Sequence, residues 1–333
     1  MLETIIALVT LTSLVLYALM GGADFGGGVW DLLARGPRAA RQRKLIADAI
    51  APIWEANHVW LILVIVLLFT AFPLGFAAMM TALHIPLMAM LVGIVLRGSA
   101  FIFRKYDVKG AAVQHRWNVL FGISSLVTPF LQGMCLGALA SGASRVVNGQ
   151  VVTGFFAGWT GGFALACGAF ALGLFAFLAA VYLTVDATHD REVQEDFRRR
   201  AIAMEFALLP IAGVVFLAAR EGGAQQMYQG LTRWWAPFLI LATSVFALVA
   251  LVSLWRRRFR LARTAAIGQV TLVLVGWCSA QFPNLIVPDT DIYDGAAPPA
   301  TLRLLIIALS VGALVLLPSL YFLFHIFKGG RRT

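Results

Sequence analysis

The chain has 333 residues, of which 60% are hydrophobic and 13% charged, and its formal net charge is +10. A soluble globular domain is about half apolar and about a quarter charged. This composition therefore excludes a soluble domain and indicates an integral membrane protein. Three cysteines and 31 glycines also exclude a disulfide-stapled secreted scaffold and a collagen-like repeat.

Nine apolar segments are long enough to cross the hydrocarbon core as helices, which takes roughly 20 residues each. In chain order they cover about 4–33, 52–73, 75–103, 117–141, 154–187, 199–220, 232–256, 262–282 and 301–327. Continuous apolar runs such as 62–69 exclude a membrane barrel, whose strands alternate apolar and polar residues.

The short connections favour antiparallel packing of successive helices. We therefore predict an all-α integral membrane protein with about nine transmembrane helices. They divide into a first four-helix bundle (1–141), a second four-helix bundle (154–282) and one additional peripheral helix (301–327).

The basic residues lie in short clusters between the apolar segments. If the N-terminus faces outward, the inward connections hold 21 of the 26 lysines and arginines and the outward connections hold four. The positive-inside rule predicts this asymmetry, with the N-terminus outside and the C-terminus inside. No basic region is interleaved with aromatic residues as in single-strand binders, so we expect no nucleic-acid partner.

Four ionisable residues lie within or at the ends of the apolar segments, at a similar depth near the inner surface: Asp24, Glu55, His58 and Arg97. Such residues are costly in hydrocarbon and mark functional sites by default. Glu55 and His58 share a helix face, and Arg97 could offset one carboxylate. Two interpretations stay open, a structural ion-pair network that pins three helices together and a proton path from the inner side with His58 as a member.

The glycine-rich segment 21–28 surrounds Asp24, and its spacing is not that of a dinucleotide-binding fingerprint. Glycines at membrane depth, here Gly26 and Gly27, favour close helix packing or a local break over ligand binding.

His84 lies in the outer half of the third segment, with no second histidine expected at its level. A haem held between two histidines would need a second histidine at that level. We therefore expect this chain to bind no haem, and we expect no metal site. The three cysteines are interpreted as small buried apolar side chains: Cys135, Cys167 and Cys278.

Four motifs in the first 105 residues resemble subunit II of cytochrome bd-type quinol oxidases. They are GADFGGG at 22–28, IAPIWEANHVWL at 50–61, AFP at 71–73 and LRGSAFIFR at 96–104. The rest of the chain matches through its length, its span count and a fainter similarity at 129–137.

The resemblance implies a haem-lacking subunit of a bacterial inner (plasma) membrane complex. Its partner, subunit I, would hold two b-type haems and one d-type haem, oxidise quinol and reduce dioxygen to water. Subunit II would stabilise that partner and contribute a proton path on the cytoplasmic side. The complex would contact membrane lipid and quinone, and it could include a small single-helix accessory subunit.

On the matching positions, the resemblance makes Asp24 and Glu55 the proton-path acids and Arg97 the charge partner. Trp54 and Trp60 match motif aromatics, which implies packing at the subunit interface. Family members usually carry an acid where Ile102 stands, and often an aspartate where Asn118 stands. Two relay positions are therefore missing, and His58 stands where the family usually has an uncharged polar residue. His58 either compensates for the missing acids or marks a divergent branch, whose electron donor need not be the usual quinol.

Two other classes of protein fit part of the pattern. A solitary ion-coupled secondary transporter would also have two bundles, glycine-rich segments and intramembrane acids, but its site would lie near the midplane. A purely structural anchor would not need Asp24, Glu55 and Arg97 at one depth. We therefore favour the oxidase subunit and keep the transporter as the alternative.

Overall fold

The structure is a computed structural model that describes residues 1–51, 54–106, 111–147 and 149–329. The described elements, in chain order, are α1 (Leu2–Leu32), α2 (Ala39–Ile50), α3 (Trp54–Ala71), α4 (Pro73–Ala82), α5 (His84–Tyr106), α6 (Ala111–Ser141), β1 (Val146–Val147), β2 (Gln150–Val151), α7 (Gly162–Asp186), α8 (Arg191–Ala218), α9 (Gln225–Leu231), α10 (Ala236–Trp255), α11 (Phe259–Gln281), β3 (Asn284–Ile286), β4 (Thr290–Asp291) and α12 (Pro299–Gly329). A kink at Ala219–Gly223, where Gly222 has a positive φ of 99°, connects α8 to α9.

The described part of the chain contains eight helices that are long and apolar enough to cross a membrane. The number reaches nine if α3 and α4 count as one bent span. The predicted all-α membrane class is confirmed. The division into two bundles and one additional helix stays a prediction.

The third predicted segment, 75–103, is not one helix. Its first part forms α4, which is bent by 118° relative to α3, and the long helix α5 begins only at His84. Pro73 is the first residue of α4. Proline is favoured there because the N–H group of a first helical residue has no intrahelical partner, so its absence costs no hydrogen bond. Hydropathy alone does not report such a change of direction, because both sides of the bend are apolar.

Helix α7 lies at the centre of the molecule and packs against α1, α6 and α8. It is apolar around its whole circumference, as expected for a helix with no water-facing side. Small residues set its close contacts: a methyl group added at Gly26 of α1 would overlap the backbone carbonyl of Phe175. Close approach of this kind is typical of helix pairs in membranes.

The first basic connection contains α2, whose arginines form ion pairs with the start of α8. Arg38 donates two hydrogen bonds of 2.8 Å to the Asp196 carboxylate. Arg41 bonds Asp190 at 3.0 Å and also contacts Glu192. The basic residues that predict the orientation of the chain therefore also attach α2 to α8.

On the opposite side, two short hairpins, β1–β2 and β3–β4, are joined by one ion pair. Arg145 bonds both carboxylate oxygens of Asp289 at 2.7 and 2.9 Å, and the amide of Val146 donates to Asp289 at 2.8 Å. The hydrogen bonds and charge of Arg145 hold the pKa of Asp289 below its ordinary value.

We expect this contact to depend on pH. A carboxyl group whose pKa is lowered by folding stabilises the fold above its ordinary pKa, and that contribution is lost as the pH falls through the lowered pKa. At pH 7, Asp289→Asn should speed amide exchange in residues 143–152 by about two- to fivefold, since an exposed ion pair contributes little. After correction for intrinsic exchange rates, the difference should shrink as the pH falls below 3.8 and disappear once it lies below the lowered pKa of Asp289. A constant difference would exclude the carboxylate as its cause.

Candidate functional site

Asp24 and Arg97 form a buried ion pair between α1 and α5. The Arg97 Nη1 and Nη2 atoms donate to the two Asp24 carboxylate oxygens at 2.9 and 2.6 Å, and Nη2 also donates to the Asp24 backbone carbonyl at 2.9 Å. The exposed fractions are 0% for Asp24 and 2% for Arg97. A bidentate charge-assisted pair of this kind is strong and geometrically specific.

The remaining surfaces of Arg97 are also occupied. Its Nε atom donates to Ser125 Oγ at 2.9 Å, and its guanidinium lies 4.7 Å from the ring centroid of Phe25 and 4.9 Å from that of Phe121. Gly28 makes room for this arrangement, since a methyl group there would overlap Ser125 Oγ. The glycines after Asp24 therefore serve helix packing around the ion pair.

Asn57 is a third buried polar group at this position, and the sequence did not single it out. It is fully buried, and its Nδ2 atom donates a long hydrogen bond of 3.4 Å to Asp24. Its Oδ1 atom has no hydrogen-bond partner. The signal available in the sequence was its position inside the matching motif at 50–61, two residues after Glu55.

A second ion cluster, around Asp31, lies toward the end of α1 and was not predicted from the sequence. Arg104 Nη1 lies 2.8 Å from Asp31 Oδ2 and donates to Asn118 Oδ1 at 3.4 Å, and Arg43 Nε lies 3.7 Å from Asp31 Oδ1. The Asp31 side chain is completely buried. Seven residues separate Asp31 from Asp24, so both acids lie on one face of α1, about 10 Å apart along its axis.

The two clusters differ in how completely they are paired. Both carboxylate oxygens of Asp24 accept hydrogen bonds, whereas Asp31 Oδ1 and Arg104 Nη2 have none. Asn118, where an acid was expected, instead accepts from Arg104, while Ile102 is 43% exposed. The ionisable groups of α1 therefore form a row from its C-terminal end to Asp24, and the unpaired atoms lie at the Asp31 end of that row.

The other predicted residues are only partly described. The side chains of Trp54 and Glu55 lie outside the described part of the structure. His58 is half-buried on α3, and Trp60 is buried with its indole N–H unpaired. Their predicted roles stay predictions.

Gly27 faces the side chain of Ile50, whose Cδ1 atom would lie 2.8 Å from an added methyl group. His84 lies apart from the cluster: its Nδ1 atom is 2.8 Å from the Thr81 carbonyl oxygen, and its ring packs edge-on against Phe155. Within the described residues, no group of three or more histidine, cysteine, aspartate or glutamate side chains could hold a metal ion.

Comparison with known proteins identifies relatives along nearly the whole chain. The family model "Cytochrome bd terminal oxidase subunit II" matches residues 2–327. The putative cytochrome bd menaquinol oxidase subunit II of Bacillus subtilis is 21% identical over 328 residues, which cover 95% of this chain and 93% of that protein. Cytochrome bd-I ubiquinol oxidase subunit 2 of Escherichia coli K12 is 28% identical over 129 residues, 39% of this chain and 33% of the relative.

A solved structure has the same fold. A chain of the bd oxidase from Geobacillus thermodenitrificans superimposes with a TM-score of 0.81 at 23% identity, covering 98% of both chains.

Proposed function

Because this chain belongs to the cytochrome bd terminal oxidase subunit II family, we propose that it acts beside a haem-bearing subunit I in oxidising quinol and reducing dioxygen to water. The single observation that carries this conclusion is the family match over residues 2–327. The chain is a multi-pass protein of the inner membrane and one subunit of a terminal oxidase. The distribution of basic residues supports the N-terminus outside and the C-terminus inside.

We place the redox centres, two b-type haems and one d-type haem, on subunit I. When bound there, the haems supply the electron transfer and the reduction of dioxygen. In this chain His84 lies in the outer half of the third apolar segment, and the sequence offers no second histidine at that level with which to hold a haem between two histidines. A small accessory subunit and bound quinone or lipid remain part of the proposal for the complex.

For this chain we propose two tasks, stabilising subunit I and leading protons inward from the cytoplasmic side. Asp24, Glu55 and His58 are the proposed route, with Arg97 as charge partner, and Trp54 and Trp60 are the proposed interface aromatics. The row of ionisable groups along α1 supports the route, because charged residues in hydrocarbon are retained where they serve a function. Asp31, buried and incompletely paired, extends it toward the inner surface.

The alternative of a solitary ion-coupled transporter is not favoured. The family match accounts for almost the whole chain, and the ion pairs on α1 lie toward one end of the helix, away from the midplane where transporters bind their ions.

We expect Glu55→Gln to slow oxygen consumption by the assembled complex at least tenfold while leaving its visible haem spectrum unchanged. The substitution removes a proton-carrying group and keeps the shape of the side chain, and loss of a general acid–base group typically costs 10²–10⁴-fold. The measurement is oxygen consumption per haem with a quinol donor. Glu3→Gln, at the exposed start of α1, is the matched control, and normal turnover of Glu55→Gln would exclude Glu55 from the route.

The complex itself is tested by purifying this chain through its own tag from native membranes in mild detergent. Absorption spectra of the oxidised and dithionite-reduced sample should show b- and d-type haem bands, together with a second large subunit. A colourless chain that purifies alone would contradict the proposed function and would justify ion-flux assays.

A further inference from the structure

A cavity of about 350 Å³ lies among α7, α8, α10 and α11, and we call it the Glu205 cavity. Its volume falls in the range of small-molecule sites in proteins. Most of its lining is apolar. The side chains in the lining that carry polar atoms are Glu205, Gln269, Thr243, Ser244 and Trp277.

The two hydroxyl groups in this lining are already engaged. Thr243 donates to the Leu239 carbonyl and Ser244 to the Ile240 carbonyl, each at 2.8 Å. Each hydroxyl therefore turns its proton back to its own helix, which is the usual arrangement for these residues in an apolar helix.

Glu205 and Gln269 are different, because each keeps one buried oxygen atom without a hydrogen bond. Gln269 Nε2 donates to Glu205 Oε1 at 2.9 Å, while Glu205 Oε2 and Gln269 Oε1 have no partner. Both residues are more than nine-tenths buried, and Glu205 forms no ion pair with any cation in the described part of the chain. Buried acceptors of this kind are normally satisfied by a donor.

The Glu205–Gln269 pair lies within the membrane-spanning part of its helices. Glu205 follows the arginine cluster at the start of α8, about 7 Å further along the helix than Arg200. Leu209 and Ile240, which also line the cavity, are exposed, so the wall reaches the surface formed by α8 and α10. The cavity thus combines an apolar wall, contact with the outer surface of the helices and two buried acceptors.

We propose that the Glu205 cavity binds a membrane-soluble amphiphile whose polar end carries a hydrogen-bond donor, a hydroxyl or an ammonium group. An ammonium group can donate to both Glu205 Oε2 and Gln269 Oε1, whereas a hydroxyl donates to one of them. The alkyl chain lies along the apolar wall toward α8 and α10. The site is distinct from the ion clusters of α1, and it does not depend on the proposed proton route.

The test uses the intact complex in membranes and three photoreactive probes with the same twelve-carbon chain and a diazirine at its far end. One probe ends in a hydroxyl, one in an ammonium group and one in a methyl ether, which accepts hydrogen bonds but cannot donate them. Labelled peptides are mapped by mass spectrometry. We expect at least one donor probe to label the cavity walls on the order of fivefold more than the ether, the ratio expected from one or two net hydrogen bonds.

Variants decide whether the pair causes this selectivity. Glu205→Leu with Gln269→Leu should remove the excess labelling by the donor probe. Glu205→Gln, which keeps the size and polarity of the side chain, covers the case in which the double variant does not fold and should reduce the excess. Thr12→Val, a polar-to-apolar change on the exposed side of α1, should leave it unchanged.

Equal labelling by the donor and ether probes would overturn the proposal. So would an absence of labelling in the intact complex, which would show that subunit I covers the cavity. If both donor probes label, the ratio of ammonium to hydroxyl labelling distinguishes a cationic from a neutral head group.

Discussion

Replacing Arg97 with alanine is expected to reduce the yield of assembled, haem-containing complex at least tenfold. The substitution leaves the fully buried Asp24 carboxylate without its bidentate partner, and breaking a buried ion pair in this way costs about 3–5 kcal/mol. That cost is a large part of the about 5–15 kcal/mol that keeps a typical protein folded. The measurement is the haem absorbance recovered per gram of membrane after purification through a tag on this chain.

Two further variants separate the charge effect from simple loss of side-chain volume. Arg145→Ala removes an arginine from an exposed ion pair and should leave the yield near normal, because such pairs contribute at most about 1 kcal/mol. Combining Arg97→Met with Asp24→Leu should recover part of the yield, since a buried pair can often be replaced by apolar groups without loss. A normal yield for Arg97→Ala would contradict the ion pair.

Gly26→Ala is expected to be more disruptive than the same change at Gly27 or Gly213. The new methyl group would overlap the backbone carbonyl of Phe175, and a backbone atom cannot move aside without shifting α7. Overpacking of a well-packed core costs about 1–3 kcal/mol or more. We expect the midpoint of thermal unfolding of the purified complex to fall by several degrees, as measured by loss of the haem signal on heating.

The chain supplies its own controls for this prediction. Gly27→Ala should be milder, because the atom nearest to its methyl group is the flexible end of the Ile50 side chain and Ile46 is at ordinary contact distance. A methyl group at Gly213 of α8 has no other atom within 4 Å. Gly213→Ala should be neutral or slightly stabilising, because alanine favours helix more than glycine does. If all three variants unfold at the same temperature, α1 and α7 do not approach as closely as the structure indicates.

Much of the fold could be predicted from the sequence because a membrane imposes a strict length and polarity on each helix. The bend between α3 and α4 could not, since the direction of a helix after Phe72 depends on packing and not on hydropathy. Helix α2 was predicted only as a basic connection, although Gln42, Ile46 and Ile50 recur every four residues and form its buried face, an amphipathic pattern that the sequence already carries.

The candidate site was predictable where an ionisable residue interrupts an apolar segment, and Asp24 and Arg97 were found for that reason. Asp31 was not, because it lies at the end of its segment next to basic residues, where an acid in water would be equally ordinary. Glu205 also interrupts an apolar segment, 199–220, although it was not among the predicted site residues. Its pairing with Gln269 could not be predicted, because 64 residues separate the two in the chain.

The contacts between α2 and α8 have a consequence for the synthesis of the protein. The partner of Arg38 lies 158 residues further along the chain. At roughly 5–20 residues per second, the ribosome takes about 8–30 s to deliver it. During that interval the arginines of α2 have no acidic partner on α8. In the proposed orientation, their positive charge keeps the connection between α1 and α3 at the inner surface. Once α8 has been synthesised, the same arginines form ion pairs with it and so join the N-terminal half of the chain to the C-terminal half.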